Sequence, residues 1–199
     1  MYDNRKLHPW ELALMLSVCF ALLLGTWAGA RQARLAGQLV RLHVIAASDS
    51  AADQAEKLRV RDAVLAYLAP KLETADSITD ARAVLAAEQD GVRSAAQTAT
   101  RQPVAVTLTE EHYPTRDYGS FALPAGNYVS LRVILGAGAG HNWWCVVFPP
   151  LCTAESASEQ AVEALADDDA RLITADGTDV VIKFRVLEWY DAIKSALSK

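Results

Sequence analysis

The sequence predicts an α+β fold: a single mixed domain with an antiparallel sheet and packed helices, preceded by an N-terminal signal or anchor helix. Three observations predict it. An uncharged apolar run fills residues 12–30. Apolar residues then recur at helical spacing between Ser50 and Thr100. After Pro103 the apolar period drops to two, and glycine- and proline-containing turns separate short alternating runs. Helical and extended stretches are segregated rather than alternating, which favours α+β over a parallel α/β sheet.

Residues 1–11 are polar and carry Arg5 and Lys6; residues 12–30 are apolar or small and end in Ala28-Gly29-Ala30. A charged start, an apolar stretch and a small-residue pattern describe an export signal. The stretch is also close in length to a short membrane span, so a cleaved signal peptide and a retained anchor both fit. A buried core helix fits poorly, because neither face is polar. Arg31, Arg34 and Arg41 come after the run, so charge bias alone does not set its orientation. Export is expected for the rest of the chain, since long domains translocate largely regardless of charge. Residues 31–38 read as a linker and 39–199 as the exported domain.

Residues 39–46 read as a strand, with Val40, Leu42 and Val44 on one parity. Ser50 with Asp53 forms a capping box that starts a helix, expected to stop near Ala69 before Pro70. Ser77 with Asp80 starts a second helix running to about Thr100, with a kink or break at Gly91. Val104, Val106 and Leu108 mark a half-buried strand. Residues 118–123 and 128–135 read as strands flanking a hairpin turn at Pro124-Ala125-Gly126-Asn127. A glycine-rich loop at 136–140 leads into a strand at 142–148. Residues 156–168 look helical and acidic, 180–182 read as a short strand, and 184–197 have helical spacing.

Composition excludes some functions. The 199-residue chain is 52% hydrophobic, enough for a core, which argues against disorder. Its net charge is −5 and it has no block of Lys or Arg, so no nucleic-acid partner is expected. His8, His43, His112 and His141 are scattered without ligand spacing, so no metal and no cofactor are expected. The loop at 136–140 lacks the Lys-Ser or Lys-Thr of a phosphate-binding loop and precedes a strand, so it reads as a plain turn.

The candidate site residues cluster late. Cys145 and Cys152 flank Pro149-Pro150 and either pair as a disulfide or pack as two buried thiols. Cys145 and His141 suggest a thiol nucleophile with its base, yet four residues along a strand separate such side chains by about 13 Å. His43, on another strand, is a second candidate base. Ser48-Asp49-Ser50 sits at a strand-to-helix turn, where capping is the commoner use than nucleophile. Trp143 and Trp144 are adjacent, so a strand points them to opposite faces. With Phe148, Pro149 and Pro150 they form a candidate partner-binding surface. The alternative is burial of a tryptophan under the C-terminal segment, against Trp189 or Tyr190.

Several of these segments resemble one family. They are Leu42 onward (LHVIAASDS), Asp53-Gln54, Lys57 and Val60-Arg61-Asp62-Ala63-Val64; then Tyr113-Pro114-Thr115-Arg116, Tyr118-Gly119, Leu123-Pro124-Ala125-Gly126-Asn127-Tyr128 and Leu131-Arg132-Val133. The longest is the run from Asn142 to Cys152, NWWCVVFPPLC. Together they resemble the stage II sporulation protein R family over residues 39–152. One departure is Asn127, where many members carry an acidic residue. The resemblance implies a non-enzymatic protein made in the forespore and exported into the space facing the mother cell. There it would activate a membrane-embedded aspartic protease that trims a mother-cell sigma factor precursor. It carries over no catalytic residues. Two other classes compete: a secreted thiol hydrolase using Cys145, Cys152 or Ser48, and an envelope module docking on peptidoglycan through its tryptophans.

Overall fold

A computed structural model describes residues 8–118 and 121–150. The order is α1 (Pro9–Gly37), β1 (Val40–Ile45), α2 (Ala51–Leu72), α3 (Ile78–Ala87), α4 (Gln89–Thr98), β2 (Val104–Tyr113), β3 (Arg116–Asp117), β4 (Ala122–Leu123), β5 (Gly126–Leu135) and β6 (Asn142–Phe148). The long strands form one sheet in the order β2-β5-β1-β6, and β3 pairs with β4 in a separate ribbon. This is the expected α+β class, with one addition: β1 and β5 run parallel, so the sheet is mixed. The connection through α2, α3, α4 and β2 is long enough to return β5 alongside β1 in the same direction, which a short hairpin cannot do.

The expected caps are in place: the Ser50 hydroxyl accepts from the Asp53 backbone N–H at 3.1 Å, and Ser77 does the same for Asp80 at 3.1 Å. Two helix ends differ from expectation. α2 continues through Pro70 to Leu72, because Leu68 and Leu72 lie on one stripe and are both buried against the sheet. Burying Leu72 offsets the one backbone bond that Pro70 forgoes. The second predicted helix is two, α3 and α4, and the break falls at Glu88 rather than at Gly91. Gly91 serves close packing: a Cβ there would run into the Tyr67 hydroxyl. The expected hairpin across residues 124–127 is also corrected. β4 pairs with β3, whereas β5 pairs with β2 and β1, so the Pro124–Asn127 turn passes the chain from the ribbon into the sheet.

α1 is one continuous helix of 29 residues, about 43 Å at ~1.5 Å per residue. It is long and apolar enough to cross a membrane. Among the described residues every exposed large apolar side chain except Leu58 lies on it. Its final turns occupy the expected linker: Leu35 and Ala36 are buried with Leu39, Tyr113 and Tyr128. The domain therefore begins inside the helix that precedes it. The expected elements at 156–168, 180–182 and 184–197 lie outside the described residues.

Candidate functional site

Alternation along β1 and β5 splits the sheet into two chemically different faces. Val40, Leu42, Val44, Leu131, Val133 and Leu135 point to the helices and join Val60, Val64 and Leu68 of α2 in the larger core. Arg41, His43 and Ser130 occupy the intervening positions and point the other way, and all three are buried. That second face is covered in part by the end of α1 and by Phe121 and Leu123 from the ribbon segment.

Arg41 is 0% exposed, and its guanidinium lies 3.9 Å from the centre of the Tyr113 ring and 5.1 Å from that of Tyr128. Its Nη2 donates to the Tyr118 hydroxyl. Among the described residues no carboxylate pairs with it, and stacking on aromatic faces stabilises such a buried cation. Burial pushes the Tyr113, Tyr118 and Tyr128 hydroxyls above the ordinary tyrosine value, and the Arg41 charge opposes that rise. His43 Nδ1 lies 3.2 Å from Glu111 Oε2, and Arg132 Nε lies 2.9 Å from Glu111 Oε1. The Tyr113 hydroxyl bonds Ser130 Oγ at 2.6 Å. Arg41 Nε and Nη1, His43 Nε2 and Trp144 Nε1 are buried with no hydrogen-bond partner among the described residues. Such unspent polar groups are uncommon in a packed interior.

The strand that carries the candidate binding residues, β6, lies beside β1 at one edge of the described sheet. Trp143 and Trp144 point to opposite faces, as strand geometry requires, and both are half-buried. Trp143 packs against the helix-side core, with the Arg61 guanidinium 5.0 Å from its ring. Trp144 stands on the polar face against His43, with the Arg116 guanidinium 4.1 Å away. After β6, Phe148 is half-buried, Pro149 is buried and comes after a cis bond, and Pro150 is exposed. These three line an apolar groove with the end of α2 and the start of α3.

Cys145 meets neither candidate base. It pairs in register with Leu42, which puts it on the face opposite His43. It is disulfide-bonded, while Cys19 is free. Its expected partner, Cys152, lies outside the described residues. His141 bonds instead to Asp49, through both its backbone N–H at 2.6 Å and its ring Nδ1. Ser48 donates to Asp53, so it serves the cap region. Lys57 is buried there and donates to Gln54 Oε1 at 2.6 Å and to the His141 carbonyl at 2.9 Å. Burial lowers its pKa below the ordinary lysine value, and Asp49 opposes that shift. This network ties the β1–α2 turn to the loop before β6. Among the described residues no group of three or more acidic, histidine or cysteine side chains could hold a metal.

Sequence reading missed the buried cluster around Arg41 and Glu111. In an alternating strand such residues ordinarily mark the wet face. The available signal was the density of tyrosines at 113, 118 and 128, which supplies the rings a buried guanidinium needs.

The segments that carried the resemblance converge on these places: the aromatic box around Arg41, the β1–α2 turn, and β6 with its prolines. The family model for stage II sporulation protein R matches residues 36–158. The chain belongs to the stage II sporulation protein R family. It is 35% identical over 138 residues to the stage II sporulation protein R of Bacillus subtilis (strain 168), covering 67% of this chain and 62% of that protein. The chain thus spans somewhat under two thirds of that relative. No solved structure matches it. Membership of the family supports a role in sporulation, and α1 is compatible with a signal or membrane anchor.

Proposed function

We propose that this chain is an exported signalling protein of sporulation that switches on a membrane-embedded aspartic protease, which then trims a mother-cell sigma factor precursor. It is made in the forespore and crosses the forespore membrane into the intermembrane space, where α1 either holds it or is cut away. It acts by contact, favouring the active arrangement of the protease over the inactive one. The observation that carries this reading is family membership over residues 36–158 in a chain headed by an export-type helix. Trp143, Trp144, Phe148 and Pro150, on the two sides of edge strand β6 and just after it, make the contact, with the buried Pro149 holding the chain between them, and a Cys145–Cys152 disulfide fixes the chain as it leaves the prolines. The thiol-hydrolase alternative finds no support in a Cys145 that is already disulfide-bonded.

Co-expression with the protease and its precursor in a non-sporulating host tests this reading. Cleavage is expected with the full chain and not with a form lacking residues 1–30, which stays inside. Trp143→Ala with Trp144→Ala should lower cleavage at equal protein level. An uncut precursor beside the folded, exported wild-type chain refutes the proposal.

A further inference from the structure

We infer that α1 is a permanent membrane anchor: the fold of the domain protects the Ala30–Arg31 bond from removal, so the protein works seated on a lipid surface. The inference rests on the export proposed above and not on the protease. Trp10 and Trp27 are both exposed and stand 17 residues apart, about 26 Å along a helix at ~1.5 Å per residue. That spacing suits a hydrocarbon core of roughly 27–30 Å, with one ring at each interface, where tryptophan is enriched. No charged residue lies from Leu12 to Ala30, and Glu11 and Arg31 bound the run. Leu12, Leu16, Phe20, Leu23 and Leu24 are all exposed, and a helix apolar all round belongs in lipid when protein does not cover it.

The bond that a signal peptidase would cut lies inside the fold. Ala28-Gly29-Ala30 sits within the continuous helix Pro9–Gly37. The Arg31 guanidinium lies 5.2 Å from the centre of the Trp27 ring, so a cation–π contact spans the bond. Gln32 packs so closely on Gly126 that a Cβ there would strike its amide. Leu35, the fifth residue past the bond, is 0% exposed in the core it shares with Tyr113 and Tyr128. Proteolysis concentrates where backbone is exposed and loosely held, and here it is hydrogen-bonded and tied down within two turns. Unwinding the helix toward a peptidase pulls Gln32 and Leu35 out of their seats. A leader that is discarded has no use for contacts that reach across its cleavage point.

The test expresses the full chain in a non-sporulating host and reads its intact mass and its cell fraction. The chain should keep α1 and stay in the membrane pellet through a carbonate wash. A chain that starts at Arg31, or one washed free, would overturn the inference. A second variant carries Gly-Ser-Gly-Ser inserted between Ala30 and Arg31, which frees the bond from the domain and keeps the small-residue pattern before it. This variant should lose residues 1–30 and appear in the soluble fraction. If it stays whole, docking is not what protects the bond, and the inference fails. Protease added from outside then separates the causes. A domain that it digests has crossed the membrane, and only the anchor inference is wrong; a domain that it spares has not crossed, and the export reading falls as well.

Discussion

The two faces of the sheet are built from alternate residues of the same strands, yet they are stabilised differently. On the helix side Leu42, Val44, Leu131 and Val133 meet Val60, Val64 and Leu68, and burial requires only volume and shape. On the other side Arg41, His43, Glu111 and Arg132 are held by ring stacking and charge pairs, which require direction. The helix side holds the domain together, and the polar side fixes how β6 and the end of α1 sit against it.

The largest effect expected is on the helix side. Leu131→Ala removes a 0% exposed side chain and should cost about 2–5 kcal/mol of stability, read by urea unfolding. A smaller loss would mean that this face is looser than its packing shows. Glu111→Gln comes next, at about 1–3 kcal/mol, because it strips the carboxylate charge from between His43 and Arg132. Arg41→Met should cost less, within about 1 kcal/mol of wild type, since an apolar chain of similar length avoids burying a charge. If Arg41→Met unfolds the domain as Leu131→Ala does, the two faces are equivalent in stability and the contrast fails.

The smallest effect concerns the polar contact that ties α2 to the residue between α3 and α4. Glu88 accepts from Tyr67 at 2.5 Å and Lys71 at 2.9 Å, and these bonds, Tyr67 first, hold its carboxyl below the ordinary range. A depressed carboxylate contributes stability that is present above its unfolded pKa and lost as pH falls through the folded one. Glu88→Gln should therefore lower neutral stability slightly and leave the acid end unchanged, which flattens the acid limb of the stability profile. A large neutral loss would show that surface polar contacts matter more on the helix side than its apolar core implies.

Much of the fold was legible because its local rules agree. The caps at Ser50 and Ser77, the β1 parity of Val40, Leu42 and Val44, and the tryptophan alternation at 143 and 144 all come from short-range geometry. What was not legible depends on distant partners. Pro70 reads as a stop until Leu72 is seen buried, and Arg41 reads as wet until Tyr113 arrives from a strand far along the chain. The pairing of β5 with β1 rather than with its sequence neighbour is of the same kind, because register between remote strands leaves little local trace. The binding candidates at 143–150 were visible, but their division between a polar face and an apolar groove required the whole sheet.

Purified protease and precursor in lipid vesicles, with this chain added only to the exoplasmic side, give the most direct test of switching by touch. Precursor cleavage should begin on addition of the folded chain and rise with its occupancy of the protease. A precursor that stays intact at saturating, folded chain, or one cut equally well without it, would contradict the role.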